Sequence, residues 1–533
     1  MKSRVLRSAA AVLVCCALAG CSPEEFKGDA DREVYEIIES KWQEGHGQRA
    51  NYSVSDVAPR PNDVRVENSV PQSGVLNLAE AVAMATANNR EYQRQKELLY
   101  TIALNLTGVR HRYAQQWFST IDADYTRDSA DESVGTEGNT GFNQSLADGG
   151  QIGAAIAVDW LRFLTGDPQT SLGSVLSTTL RQPLLSGRGR RVAQEDLTQA
   201  ERDVLYQIRA FNRYRKQFVV SVISDYYRVL QRRNEMENGK RNWVSLEKMS
   251  AQHEKEYEEG MTAKYQWDQA RQSELSALDN YKRAIRTYER SLDDFRIVLS
   301  LPTDANVVLD QNELRVLEKL GPSGADEMPY SATDAIWVAL RSRLDLANSA
   351  DSVFDAARKV EVAADGLGMQ LDLVGSMGVS SKADTDLDVL QFQDGTYRLG
   401  LESDLPLDRK TERNTYRASL IALMQAQRVY ENDVAEVKLE VRQAYRTLLE
   451  EAESYETQLL SLELAQQRVA ASPKLWEARK ASTRDMLESE DALLRARNSV
   501  ASALINNTIA KLTLFRDVGI LEVKPDGMWD ESQ

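Results

Sequence analysis

Apolar residues recur at helical spacing over most of this chain. One set alternates steps of three and four residues: Leu278, Tyr281, Ile285, Tyr288, Leu292, Phe295 and Leu299. Another set recurs every seven residues: Val434, Val441, Leu448, Tyr455, Leu462 and Val469. Both patterns are typical of coiled-coil seams, in which two apolar positions per heptad face a partner helix. No proline occurs from Gly189 to Leu299, which predicts a helix from about Arg190 to Glu254, on the order of 100 Å long.

Two windows switch from helical spacing to strict alternation. The apolar positions of the first window are Ile121, Ala123, Tyr125, Ile152, Ala154, Ile156, Val158, Trp160, Leu172, Leu176 and Leu180. Those of the second window are Met369, Leu371, Leu373, Met377, Val379, Tyr397, Leu399, Leu401, Leu405 and Leu407. Arg398, Glu402 and Asp404 alternate with the last five. Each segment is about ten residues long, which is the length of a membrane-crossing strand. We interpret residues 129–150, rich in Gly, Asp and Asn, as an insertion between strands.

The two windows belong to an internal repeat. Glu80-Ala81-Val82 before the first window matches Asp334-Ala335-Ile336 before the second, and Pro183-Leu184 after the first matches Pro406-Leu407 after the second. Each half is therefore predicted to contain a helix, strands, a long helix, a turn and a second helix. Four or five strands per chain cannot close a barrel, because the smallest closed barrels have eight strands. Open strand edges are not tolerated in lipid, so the chain is predicted to share one barrel with copies of itself in a closed ring.

All three cysteines lie near the N-terminus, at Cys15, Cys16 and Cys21. Lys2, Arg4 and Arg7 precede a short apolar run, which is the layout of a secretory signal. Leu18-Ala19-Gly20-Cys21 then resembles the lipobox of bacterial lipoproteins, which implies cleavage before Cys21 and lipid attachment to it. In those proteins a serine after the cysteine, as at Ser22, favours the outer membrane. The alternatives are a plain signal peptide cut after Ala19 and an ordinary N-terminal helix. Further along, Asp31 to Trp42 is predicted to form a short amphipathic helix.

Charge and composition narrow the classes of function. The formal net charge is −16, and loss of the three cations in the leader makes the chain more acidic still. Such acidity argues against nucleic-acid binding, which needs a basic surface. No later stretch approaches 18 apolar residues, so strands are predicted to make any membrane crossing.

No motif indicates catalysis. His46, His111 and His253 are scattered without a ligand partner at metal spacing and are interpreted as surface residues. Gly187-Arg188-Gly189 lacks the rest of a phosphate-binding loop, and no serine stands in a Gly-x-Ser-x-Gly elbow. The sequence therefore predicts no enzyme activity, no metal site and no cofactor.

From about Leu76 to Ile520 the sequence resembles the TolC family of outer-membrane channel proteins. The resemblance rests on the duplicated plan, the strand exit Gln182-Pro183-Leu184-Leu185 and two helix-turn-helix tips. The family tip pattern is roughly Gly-x-x-Ser/Thr-x-x-Asp-x-Leu-x-Ala. The second tip matches it at Ser482, Asp485 and Leu487 and departs at Arg479 and Ser489, whereas the first keeps Gly260 and Ala270 but has Gln266 in place of the acid.

The resemblance implies a mainly α protein with a membrane β-barrel. Duplicated coiled-coil hairpins would form a periplasmic tunnel, and a few strands per chain would join a shared trimeric barrel. The predicted lipid-facing residues are Tyr397, Leu399, Leu401, Leu405 and Leu407. Implied partners are a periplasmic adaptor protein, an inner-membrane RND, ABC or MFS pump, and outer-membrane lipid. The implied function is a passive exit duct for efflux or type I secretion, anchored in the outer membrane and extending into the periplasm. The alternative is a lipid-anchored periplasmic scaffold without a pore.

Asp485 and Glu488 are candidates for an acidic constriction at the periplasmic end of that tunnel. They are three residues apart, so a helix places both on one face. Asp485 occupies the acid position of the family tip, and in a trimer the pair would make stacked carboxylate rings that favour cations. The alternative is a solvated acidic face, since Glu490 and Asp491 follow directly.

The predicted organisation divides the chain into six parts. In order, these are a signal peptide (1–20), a lipid-anchored segment (21–75), a first helix-strand-helix repeat (76–302), a linker (303–330), a second repeat (331–520) and a C-terminal tail (521–533).

Overall fold

The computed structural model describes residues 22–43, 49, 51–55, 74–127, 132–163, 170–302, 304–321, 331–382, 390–405, 407–478 and 480–524. The leader and Cys21 lie outside the described residues, as do Arg479 and the end of the C-terminal tail.

The described chain is mainly helical. Its helices are α1 (Pro23–Lys41), α2 (Leu78–Asn88), α3 (Arg90–Tyr113), α4 (Arg190–Ala193), α5 (Glu195–Glu258), α6 (Lys264–Val298), α7 (Asn312–Leu320), α8 (Ala332–Ser342), α9 (Leu344–Asp365), α10 (Lys410–Glu477) and α11 (Thr483–Val518). Its strands are β1 (Val75–Leu76), β2 (Gln116–Arg127), β3 (Glu132–Ser145), β4 (Gln151–Phe163), β5 (Thr170–Pro183), β6 (Val308–Leu309), β7 (Gln370–Ser380) and β8 (Thr396–Asp404). None of the helices in the described part of the chain combines the length and the apolar character that a membrane crossing requires.

The two halves begin with the same local structure. Asn77 and Glu80 form a capping box at the start of α2, and Ser331 and Asp334 form one at the start of α8. In each box the cap side chain and the acid three residues on satisfy each other's backbone N–H groups. Both helices are 11 residues long and lead into a second helix after a single non-helical residue. The acids matched by the repeat, Glu80 and Asp334, are thus equivalent capping residues.

The long helices follow the predicted seams. Val441, Leu448 and Tyr455 are buried along α10, and Leu292, Phe295 and Leu299 are buried at the end of α6. The predicted helix from Arg190 is interrupted at Gln194, so that α4 and α5 are separate. Helix α5 has 64 residues and extends beyond the predicted end at Glu254, which gives it a length of about 96 Å. Helix α1 begins at Pro23 rather than at the predicted Asp31, because Ser22 and Glu25 form a capping box there.

One prediction about the first strand window is wrong. Residues 132–145, interpreted above as part of an insertion between strands, form strand β3. Val134, Thr136, Gly138, Thr140 and Phe142 do alternate, but only two of these positions carry large apolar side chains, so the alternation is weak in the sequence. Six of the described strands form one antiparallel sheet in the order β2-β3-β4-β5-β7-β8, and β1 pairs with β6 in parallel in a separate two-stranded sheet.

The chain forms two compact units, each assembled from three separate segments. The first contains the described residues of 1–42, 98–208 and 348–430, which include the six-stranded sheet. The second contains those of 43–97, 209–347 and 431–533, which include both helix-hairpin turns. The core of the second unit surrounds Tyr226, whose hydroxyl donates to the carbonyl of Leu76 over 3.0 Å. These units divide the chain differently from the six predicted parts, whose boundaries stay predictions.

Candidate functional site

The ladder register sorts the side chains of the sheet onto two faces, because directly paired residues project to the same side. On one face, which we call the apolar face, successive direct partners include Ile121, Gly138 and Val158. Further along the sheet, Ile152 pairs with Leu180, Leu180 with Gly375, and Gly375 with Leu399. Across β2 to β8 the large members of this face are Trp117, Ile121, Tyr125, Phe142, Ile152, Ile156, Val158, Trp160, Leu172, Leu176, Leu180, Leu371, Leu373, Met377, Val379, Tyr397, Leu399 and Leu401.

Most charged residues of the sheet lie on the other face, which we call the polar face. They are Asp122, Asp124, Glu137, Asp159, Arg181, Asp372, Arg398, Glu402 and Asp404. Arg181 bridges two strands, with its guanidinium 2.6 Å from the Asp372 carboxylate and 3.7 Å from that of Glu402. Asp122 and Glu137 are direct partners, as are Glu137 and Asp159. Like charges placed directly opposite each other destabilise a sheet, so this row of three acids indicates a face bathed in water.

Aromatic residues on the apolar face lie near the strand ends. Trp117, close to the end of β2 that follows α3, packs against Phe142 with ring centroids 5.3 Å apart. Tyr125 and Trp160 lie near the opposite ends of their strands, and Tyr397 lies at the start of β8 in the same row of direct partners as Trp117. Trp117 and Tyr125 are separated by about 26 Å along β2, at about 3.3 Å per residue. For a strand tilted by about 40° this spacing corresponds to a height of about 20 Å, somewhat less than the apolar band of about 25 Å in membrane barrels.

The five residues predicted to face lipid are all exposed in the single chain. Tyr397, Leu399 and Leu401 lie on the apolar face of β8, with 57%, 78% and 66% of each residue accessible. Leu405 and Leu407 follow the end of the strand and are also exposed. Three large apolar side chains in a row on one edge strand form an exposed patch, and such patches mark surfaces that contact lipid or another protein. The lipid contact itself stays a prediction.

The predicted constriction acids lie at the start of α11. The Asp485 carboxylate accepts hydrogen bonds from the backbone N–H of Ser482 (2.8 Å) and from its hydroxyl (2.7 Å). These bonds hold the pKa of Asp485 below its ordinary value, so the group is ionised at neutral pH. Asp485 therefore caps its helix. Ser-x-x-Asp at a helix start indicates this role, although the family tip pattern does not. Glu488 is exposed, 3.6 Å from the guanidinium of Arg468.

Buried polar contacts join the helices behind these acids. The Ser489 hydroxyl is 3.2 Å from that of Ser472 on α10, and Ser489 is 1% exposed. The Glu490 carboxylate accepts a hydrogen bond from Ser245 on α5 over 2.8 Å. Glu490 is thus engaged in helix packing, which sets it apart from the exposed Glu488 beside it.

One histidine differs from expectation. His253 on α5 is 2% exposed, not a surface residue, and its ring packs edge-on against Trp476 on α10 with centroids 5.4 Å apart. It lies within a helical pattern of polar neighbours, so the sequence did not reveal its burial. His111 is exposed, as predicted, and His46 lies outside the described residues. Within the described ranges, no cluster of three or more His, Cys, Asp or Glu residues is arranged to hold a metal ion.

Comparison with known proteins gives a match in structure but not in sequence. No protein-family model matches the chain, and no curated protein does. Among solved structures, CmeC, the outer-membrane channel of Campylobacter jejuni, is 14% identical with a TM-score of 0.59, covering 92% of this chain and 93% of its own. MtrE of Neisseria gonorrhoeae, in its open state, is 11% identical with a TM-score of 0.60, covering 90% and 98%. CusC, studied for its folding and transmembrane channel formation, is 12% identical with a TM-score of 0.59, covering 89% and 99%.

The chain therefore has the fold of the TolC family of outer-membrane channels. The predicted fold class, with long paired helices and a small antiparallel sheet, is confirmed. At these levels of identity the likeness establishes the fold, and the activity of the chain is argued separately below.

Proposed function

We propose that this protein is an outer-membrane channel that acts as a passive exit duct for a tripartite efflux or type I secretion system. Three copies would share one barrel, built from the six-stranded sheet of each chain. The fold supports this, since solved structures that share it, CmeC and MtrE, are outer-membrane channels. The observation that carries the proposal is the separation of the sheet into an apolar face, without charge from the row of Trp117 to that of Ala123, and a polar face with three adjacent acids.

The alternative, a periplasmic scaffold without a pore, does not account for this sheet. A scaffold in water gains nothing from exposing Leu399 and Leu401, which are 78% and 66% accessible. Exposed apolar area costs about 25 cal/mol per Å² relative to burial. The two faces have one common explanation, which is that lipid covers one and water the other.

The alternation along β8 provides a matched test of the channel. Leu401→Arg places a cation on the apolar face, where it costs roughly 2–4 kcal/mol at mid-membrane. Glu402→Arg makes a change of similar size one residue away, on the polar face. We expect Leu401→Arg to reduce the amount of trimer recovered from outer membranes severely and Glu402→Arg to leave it close to wild type, as measured by size-exclusion chromatography with light scattering. Equal defects from both substitutions, or a wild-type monomer in mild detergent, would contradict the proposal.

We propose that Cys21 carries lipid and anchors the mature N-terminus in the outer membrane. The support is the lipobox after a basic and apolar leader, and several acyl chains together anchor durably where one alone is marginal. Mass spectrometry of the mature protein should show an acylated N-terminal Cys21. An unmodified cysteine, or a chain that begins at Gly20, would exclude the anchor without affecting the channel.

The partners follow from the same proposal. A passive duct needs a pump to supply energy, so we propose that a periplasmic adaptor and an inner-membrane RND, ABC or MFS pump complete the system. The α10–α11 turn, beside Asp485 and Glu488, is the proposed periplasmic aperture. The exposed position of Glu488 and the ionised state of Asp485 are compatible with a ring of carboxylates there.

A further inference from the structure

We propose that the β3–β4 hairpin is an integral part of the barrel wall, so that each chain contributes six strands and three chains close a ring of eighteen. This rests on the proposed function, and it adds the size and composition of the barrel. Adjacent chains would join by pairing β8 of one copy with β2 of the next.

The internal repeat identifies the hairpin as additional. In the second half, β7 follows helix α9 and β8 leads to helix α10, with no further strand between them among the described residues. In the first half, β2 follows α3 and β5 precedes α4 and α5, so these two strands are the counterparts of β7 and β8. Strands β3 and β4 lie between them and have no counterpart.

The hairpin is fully integrated into the sheet. Each residue of β2 from Gln116 to Arg127 is paired with β3, and each residue of β3 from Ser133 to Ser145 is paired with β4. Strand β4 is paired in turn with β5 from Gln151 to Arg162. A hairpin that folded into the lumen or lay over the mouth would leave β2 paired directly with β5, whereas here the hairpin separates them.

The hairpin also carries the same two faces as its neighbours. Phe142, Ile152, Ile156 and Trp160 continue the apolar face, and Glu137 and Asp159 continue the polar face. Charged residues occupy apolar-face positions of β2 to β4 only from the row of Tyr125 outward, where Arg162 is the direct partner of Val134 and Arg127 pairs with Glu132 over 3.1 Å. A plug inside the lumen would have water on both sides and no need for an uncharged apolar face.

Glycines in the hairpin lie where neighbouring strands approach each other closely. On the polar face, a Cβ at Gly141 would lie 2.7 Å from the Cβ of Ala155, its direct partner. Directly paired Cβ atoms are ordinarily about 4.5–5.5 Å apart. A Cβ at Gly153, also on this face, would lie 2.6 Å from Asn143 Oδ1, whereas Gly138 on the apolar face has open space beside it. These contacts show that β3 and β4 approach each other closely at Gly141 and Gly153, where only glycine fits without a shift of neighbouring atoms.

The edges of the sheet allow closure by copies of the same chain. Six strands that alternate in direction leave β2 and β8 antiparallel, so β8 of one copy can continue the ladder with β2 of the next. In the described part of a single chain these two strands pair on one side only, and every residue of β8 is exposed. Lipid does not tolerate unpaired edges, which makes a second copy the occupant.

The additional hairpin has a direct consequence for pore size. Barrel diameter grows roughly in proportion to strand number, so six strands per chain give a barrel about one and a half times as wide as four strands per chain would. The hairpin also adds Glu137 and Asp159 to the lining, next to Asp122.

Paired cysteine substitutions in β3 test the position of the hairpin. Glu137→Cys lies on the polar face and Thr140→Cys on the apolar face, and both positions are exposed in the single chain. In cells or in proteoliposomes, a water-soluble thiol reagent should modify Glu137→Cys at least about tenfold faster, because a thiol in hydrocarbon does not ionise. The wild-type chain provides the background from Cys21. Rapid modification of both cysteines would place the hairpin in water and overturn the inference.

A second pair in β8 separates this inference from the proposed function. Leu401→Cys and Glu402→Cys should show the same protected and reactive pattern if the sheet lies in the membrane at all. If Leu401→Cys is protected but Thr140→Cys is not, the channel proposal stands and the proposal that the hairpin is part of the barrel wall is wrong. Reaction of all four cysteines would count against both proposals. End-on electron-microscopy views of the trimer in nanodiscs provide an independent count, with eighteen strands expected and twelve contradicting the inference.

Discussion

At the scale of single residues, Asp485 has a structural role that the structure shows and a proposed role in the periplasmic aperture. Its carboxylate accepts two hydrogen bonds from Ser482 and so caps α11, while its charge remains at an exposed helix start. The family tip pattern singles out Asp485 without indicating that it caps the helix, whereas Ser482 three residues earlier does indicate a capping box. His253 is the opposite case, since its burial against Trp476 depends on the packing of two distant helices.

The capping role of Asp485 and its proposed aperture role can be separated by substitution. Asn at position 485 keeps an acceptor for Ser482 but removes the charge, so Asp485→Asn with Glu488→Gln should fold normally. In planar bilayers the double variant should lose cation preference, and its block by divalent cations should weaken roughly fivefold or more, since each close carboxylate contributes about 1 kcal/mol in water. Glu456→Gln with Glu463→Gln removes two exposed acids elsewhere on α10 and serves as the control. Unchanged selectivity and block would leave Asp485 as a cap and Glu488 as a surface acid.

At the scale of elements, the spacing of apolar residues predicted the buried seams of the long helices and the two faces of β8. The seven-residue pattern along α10 is reproduced by the buried positions Val441, Leu448 and Tyr455. The alternation of β8 is strong enough to assign Leu399 and Glu402 to opposite faces, and the register agrees. Strand β3 was not predicted because most of its residues are small or polar, so its alternation is weak. It forms a strand through its pairing with β2 and β4. Glycines such as Gly141 read as loop signals although a close strand contact requires them.

At the scale of the whole molecule, the sequence predicted the need for partner chains but not the extent of the sheet. The shortage of strands for a closed barrel follows from counting segments of suitable length. The number six depends on the β3–β4 hairpin, and the joining of both halves depends on β5 pairing with β7. That pairing connects residues about 200 positions apart, such as Leu180 and Gly375, and local pattern contains no information about it.

The measurement that tests the channel most directly is planar-bilayer recording of the purified, full-length mature protein. The account predicts discrete and stable conductance steps, each arising from one inserted trimer, because the polar faces of three sheets enclose a water-filled path. The same preparation in liposomes should resist extraction by carbonate. Protein that is stably bound to membranes through its anchor yet produces no conductance steps would contradict the channel and support the scaffold.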